Sequence, residues 1–122
     1  DAQVLYADFD WDTIYKYAFK KEILIEEISK FPTSRRDFAL LINSDIRFAD
    51  LEAAAYKTDR KLLKRVSLFD VYEGKNLPDG KKSYGMSFYF GDPHKTLTDK
   101  NVDRIMQKLQ KEFEDSFGAT LR

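Results

Sequence analysis

The sequence predicts an α+β domain whose elements run strand, helix, strand, strand, helix, strand from Arg35 onward. Three observations carry this. Apolar residues alternate with small or polar ones in Phe38, Leu40, Ile42 and again in Tyr84, Met86, Phe88, Phe90, the period of two that buries one face of a strand. Val102, Ile105, Met106, Leu109 and Phe113 recur at helical spacing, which gives one apolar stripe. Between the apolar-rich runs Leu62–Tyr72 and Lys82–Phe90 lies Glu73-Gly-Lys-Asn-Leu-Pro-Asp-Gly80, the composition of a long hairpin loop.

In chain order, Val4–Phe9 is expected as a short strand. Asp10 then caps a helix to about Phe19, with Trp11, Ile14 and Ala18 on one side. Ile23–Ile28 is expected as an extended connection. Phe31-Pro-Thr-Ser34 breaks the chain before a strand over Arg35–Asn43, and Phe48, Leu51, Ala54 and Ala55 mark a helix over Phe48–Lys57. After the hairpin, Gly91-Asp-Pro-His94 turns the chain. Thr98 is the expected N-cap of the last helix, Asp99 suits its positive end, and Leu97 is placed to staple against Val102. Gly118 is the expected stop, leaving Ala119–Arg122 for a final short strand. This order is the split plan of ferredoxin-like folds: βαββαβ, a four-stranded antiparallel sheet with two helices on one face and the other face open, here with an N-terminal strand-helix extension.

The 122 residues suffice for one domain and an appendage. No apolar run approaches the roughly 20 residues of a membrane span, and no signal-peptide pattern is present, so a soluble protein without membrane contact is expected. The absence of cysteine removes disulfides and thiolate metal sites and fits a reducing, cytoplasmic setting. The formal charge is zero, yet residues 1–28 carry seven acids and three bases while residues 29–122 carry 14 acids and 18 bases. The shift suggests a boundary near Ile28, with residues 1–28 as a lead-in segment and 29–122 as the domain. Lys57, Arg60, Lys61, Lys64 and Arg65 form one basic cluster; Lys75, Lys81 and Lys82 form another beside the hairpin loop. A chain that begins at Asp1 is expected to be a piece of a longer one.

On the hairpin, Ser83, Gly85, Ser87 and Tyr89 share the face opposite the core set. If Phe69 and Val71 turn inward toward Phe88, then Asp70, Tyr72 and Ser83 lie together on an uncovered surface. A carboxylate, a phenol ring and a hydroxyl on one flat sheet suit a flat polar ligand such as a base, the mode by which RNA-recognition modules stack nucleotides. Enzymes and metabolite sensors share the plan, so two rivals stand beside this reading. An acylphosphatase-like enzyme needs an anion-cradling loop after the first strand, and Asn43-Ser-Asp-Ile-Arg47 has no glycine and carries an acid. A small-molecule-binding regulatory domain of ferredoxin-like fold is the alternative function. No hydrolytic triad, metal-ligand cluster or phosphate-cradling glycine loop is present, so no catalytic residue, metal site or cofactor is expected in this chain. Arg35 and Arg36 either contact phosphate or pair with acids, Asp70 either reads a ligand or pairs with Lys82 or Arg36, and His94 is expected at a solvent-exposed turn.

Phe31-Pro-x-Ser-Arg-Arg-Asp37, Leu68-Phe-Asp-Val-Tyr-x-Gly74, Gly80-Lys-Lys-Ser83, Lys95-Thr-Leu-Thr-Asp99 and Phe117-Gly-Ala-x-Leu-Arg122 closely resemble the ferredoxin-fold anticodon-binding domain that ends the β subunit of bacterial phenylalanyl-tRNA synthetases. The resemblance covers about Ser29 to Arg122, with the motifs in the same order. Val4–Asp10 looks like the segment leading in from that family's preceding catalytic-like module, which favours the bacterial β subunit over the single-chain organellar enzyme. Leu121-Arg122 matches the family's chain end. Thr58-Asp-Arg60 replaces a frequent Gly-Gly, and Lys95 stands where arginine is common; both lie off the expected reading surface.

The resemblance implies that Ala39, Asp70, Tyr72 and Ser83 match positions that contact the anticodon of tRNA(Phe). Arg35, Arg36, Lys81 and Lys82 are expected as RNA backbone contacts. It also implies a parent phenylalanine-tRNA ligase, an α2β2 assembly with a synthetase α subunit, that uses ATP and magnesium outside these residues and leaves this fragment non-catalytic.

Overall fold

A computed structural model describes residues 3–18 and 29–122. The expected connection Ile23–Ile28 and the expected helix end at Phe19 lie outside the described residues. The described elements are α1 (Trp11–Ala18), β1 (Ser34–Asn43), α2 (Phe48–Thr58), β2 (Leu63–Tyr72), β3 (Lys81–Phe90), α3 (Asp99–Phe117) and β4 (Thr120–Leu121).

Asp10 caps α1 as its position implies: its carboxylate accepts from the Thr13 amide at 3.1 Å and from the Thr13 hydroxyl at 2.6 Å. The strand expected over Val4–Phe9 does not form, and residues 3–10 carry no regular structure. A strand needs a neighbour to take its backbone hydrogen bonds, and here Val4, Leu5, Tyr6 and Phe9 are all exposed.

From Ser34 onward the elements take the βαββαβ order, and the four strands lie as β2-β3-β1-β4 with every pairing antiparallel. One face of this sheet is covered by α2 and α3. Leu40 and Ile42 from β1, Val66 from β2, and Tyr84, Met86, Phe88 and Phe90 from β3 meet Leu51 and Ala55 of α2 and the Val102–Phe113 stripe of α3. Phe88 is central, edge-on to Phe38 at 5.5 Å and tilted against Phe113 at 6.1 Å. Burying so many aromatic and aliphatic side chains on one side of a sheet is what holds a domain of this size together.

The ends of α3 follow from local chemistry. The Thr98 hydroxyl accepts from the Asn101 amide at 3.4 Å, while Leu97 and Val102 are both in the core. Gly118 adopts φ 59° and ψ 28°, a left-handed conformation that favours glycine. The Gly118 amide donates to Glu114 O and the Ala119 amide to Phe113 O. The chain then turns straight into β4.

One expectation about β2 is overturned. Phe69 does not turn inward toward Phe88; the β2–β3 register slips between Leu68 and Asp70, and Val66 is the residue opposite Phe88. The extra residue in this bulge breaks the alternation, so Phe69 lies on the same side as Asp70, with its ring against Gly85 and 57% of the residue exposed. Val71 sits opposite Tyr84 on the covered side, at the sheet edge, and is half-exposed.

Candidate nucleic-acid interface

The uncovered face is built in rows across the strands. Tyr72, Ser83 and Leu41 lie side by side in one row, and Asp70, Gly85 and Ala39 in the next. Then come Ser67, Ser87 and Asp37, and finally Arg65, Tyr89 and Arg35. Neighbouring strands are about 4.8 Å apart and successive rows about 7 Å apart. All four expected base contacts, Ala39, Asp70, Tyr72 and Ser83, therefore occupy two adjacent rows. Among the described residues, α2 and α3 pack on the opposite face and no helix covers these rows.

Their surroundings differ. Asp70 makes no ion pair or hydrogen bond among the described residues. Its two candidate partners point the other way. Arg36 is on the covered side, where its guanidinium meets Asp99 at 2.6 Å and Asp103 at 3.5 Å, pinning β1 to the first turn of α3. Lys82 is buried on the same side, its ammonium donating to Ser44 O at 2.8 Å and lying 4.8 Å from the Tyr84 ring centroid. Two of the four expected backbone contacts, Arg36 and Lys82, are thus directed away from the open face, because the strand period sends neighbours Arg35 and Arg36, or Lys81 and Lys82, to opposite sides. Ser83 is on the open face but only 6% exposed, so its hydroxyl forms floor between Tyr72 and Leu41.

Tyr72 rests on Gly74. A Cβ at Gly74 would come 2.7 Å from the Tyr72 hydroxyl and 2.9 Å from Cζ, closer than contact distance, so glycine is what lets the ring lie there. The Arg122 guanidinium lies 5.5 Å from the Tyr72 ring centroid, and the Arg122 amide donates to Ala39 O at 2.8 Å. Gly85 performs the same service for Phe69: a Cβ there would be 2.7 Å from Cε2.

At the far end, Arg35 holds Asp37 with two hydrogen bonds, Nε to Oδ1 at 2.9 Å and Nη2 to Oδ2 at 3.0 Å. The Arg35 guanidinium, with help from the Ser87 hydroxyl, keeps the Asp37 carboxyl below its ordinary range. Its own pKa is raised in turn, first by the hydrogen bonds to Asp37. Arg35 also lies 5.9 Å from the ring centroids of both Phe69 and Tyr89, and Arg65 lies 5.4 Å from that of Tyr89. Phe69, Arg65 and Arg122 escaped sequence reasoning as site residues. Gly85 inside a strand was the available signal, since such a glycine marks a bulge or a close approach.

A half-buried tyrosine, a carboxylate with no partner among the described residues and guanidinium groups on the uncovered side of a four-stranded sheet are what a reader of unpaired nucleotides needs. A sequence model of the ferredoxin-fold anticodon binding domain matches residues 29–122. The chain belongs to that family. Relatives of this anticodon-binding domain match it along nearly the whole of the present chain. It is 52% identical over 122 residues to a phenylalanine–tRNA ligase beta subunit of Bacteroides fragilis, 51% to that of Bacteroides thetaiotaomicron, and 43% over 119 residues to that of Porphyromonas gingivalis. The matches cover 98–100% of this chain but only 14–15% of those relatives. Among the described residues of the anticodon-binding domain, no three acids or imidazoles converge as a metal site, and no helix is long and apolar enough to cross a membrane.

Proposed function

We propose that this domain reads the anticodon of tRNA(Phe) as the terminal part of a phenylalanine–tRNA ligase beta subunit. The observation that carries this is the placing of Tyr72 and Asp70 in adjacent rows of the uncovered sheet face, with Asp70 having no partner among the described residues. Tyr72 stacks on the first anticodon base, and the Asp70 carboxylate accepts two hydrogen bonds from its Watson–Crick edge. Guanine presents two adjacent N–H donors there, whereas adenine presents an acceptor, so the same carboxylate favours one base and repels the other. Ala39 and Gly85 keep the floor beside Asp70 low. Ser83 completes that floor and reaches a ribose or neighbouring base when the side chains above it part.

Backbone contact falls to Arg35 and Lys81, which stand on the open side at opposite ends of the sheet. Residues 1–28 are the lead-in from a preceding module, and the exposed apolar residues of α1 and the segment before it pack there. The parent enzyme, a cytoplasmic assembly of two α and two β subunits, joins phenylalanine to tRNA(Phe) using ATP and magnesium. The described residues do not fit a magnesium site, and no step of that chemistry is assigned to this domain.

One base–aromatic stack is worth about 1–3 kcal/mol. Tyr72→Ala is therefore expected to weaken binding of an anticodon stem-loop by roughly 5- to 150-fold and to lower aminoacylation efficiency in the whole ligase. Asp70→Asn replaces one acceptor site with a donor and is expected to erase preference for guanine over adenine at the first anticodon position. Unchanged binding and unchanged aminoacylation for both variants contradict the proposal.

A further inference from the structure

We propose that the open face seats a second unpaired nucleotide beside the one on Tyr72, with its base stacked on Phe69 and its phosphate held by Arg35 and Arg65. This rests on the reading of that face as an RNA surface. The bulge in β2 turns a phenylalanine out of the core and sets the Cε2 and Cζ atoms of its ring against Gly85. The residue stays 57% exposed, and burial is where a phenylalanine ordinarily belongs. A ring seated on backbone, still exposed over more than half of the residue and with the Arg35 guanidinium 5.9 Å from its centroid, offers a base a stacking platform.

The groups around the ring are set for an anion. Phe69, Arg35, Tyr89 and Arg65 form an alternating series of rings and guanidinium groups, with each guanidinium 5.4–5.9 Å from its ring centroids. Asp37 fixes Arg35 through Nε and Nη2, which leaves Nη1 to donate outward. Arg65 has no acid within ion-pair distance among the described residues. It supplies uncompensated positive charge at this end of the sheet. The position is also continuous with the first seat, one row away, about 7 Å along the strands. That is roughly twice the 3.4 Å separation of stacked bases, so the two bases are splayed apart, each on its own ring.

The test uses stem-loops carrying the phenylalanine anticodon with 2-aminopurine at single loop positions, titrated against the wild-type chain, Phe69→Ala, Tyr72→Ala and Arg65→Gln. One loop position is expected to lose its stacking quench in Phe69→Ala and keep it in Tyr72→Ala, and its neighbour to do the reverse. Phe69→Ala is expected to weaken affinity by about 5- to 150-fold. Arg65→Gln is expected to reduce the salt slope by about 0.7, one single-strand phosphate contact. Circular dichroism confirms that the variants, all at exposed or part-exposed side chains, keep the fold. Binding that depends on Tyr72 but is indifferent to Phe69, in affinity and at every labelled position, overturns the second seat and leaves the first. A wild-type chain that binds no stem-loop overturns both.

Discussion

The two faces of the sheet share the same strands and obey opposite rules. On the covered face the charged residues are engaged: Arg36 is held by Asp99 and Asp103, and Lys82 by Ser44 O and the Tyr84 ring. The aromatics there are buried and pack on one another. On the open face the rings are exposed or partly so, lie on glycines or beside guanidinium groups, and Asp70 has no partner among the described residues. Unspent hydrogen-bonding and stacking capacity is collected on one side, as expected where a fold reserves groups for a ligand.

The largest effect that sharpens this contrast comes from Phe88→Ala, which removes a fully buried ring and is expected to cost about 3–5 kcal/mol in urea unfolding. Tyr72→Ala, on the other side, is expected to stay within about 1 kcal/mol of wild type. A smaller effect follows from Thr98→Ala, which removes the α3 cap and should cost about 1 kcal/mol without altering RNA binding. Neighbouring cations then separate the faces. Arg36→Gln should lower stability slightly, as loss of a surface ion pair does, and leave the salt dependence of RNA binding unchanged. Lys81→Gln should leave stability alone and reduce the salt slope by about 0.7. If Arg36→Gln changed the salt slope as much as Lys81→Gln, the division of labour between the faces would be wrong.

The smallest effect is in acid. Arg35 depresses the Asp37 pKa in the folded chain, so this carboxylate contributes stability above its unfolded pKa. That contribution is lost as pH falls through the depressed folded value. Carboxyl titration by NMR should find Asp37 protonating below the ordinary aspartate range, and Arg35→Gln should return it upward.

Much of this contrast was legible in the sequence because strand alternation and helix periodicity are local. Phe38, Leu40, Ile42 and the Tyr84–Phe90 set predicted the covered face, and the Thr98 and Gly118 caps predicted both ends of α3. What escaped was non-local. Phe69 reads as an inward residue by alternation alone, since a bulge depends on how two strands pair. Arg122 reaches Tyr72 only because β4 joins the sheet beside β1. The Val4–Phe9 run has strand-like composition, but composition supplies no neighbouring strand.

The most direct test is an amide shift map of the isotope-labelled chain titrated with a phenylalanine anticodon stem-loop and with one whose first anticodon base is changed from guanine to adenine. The expected result is shifts at Ala39, Asp70, Tyr72, Ser83 and their row neighbours for the first RNA, much reduced for the second, with α2 and α3 unmoved. Shifts concentrated on the helices, or the same response to both RNAs, would contradict recognition by the uncovered sheet.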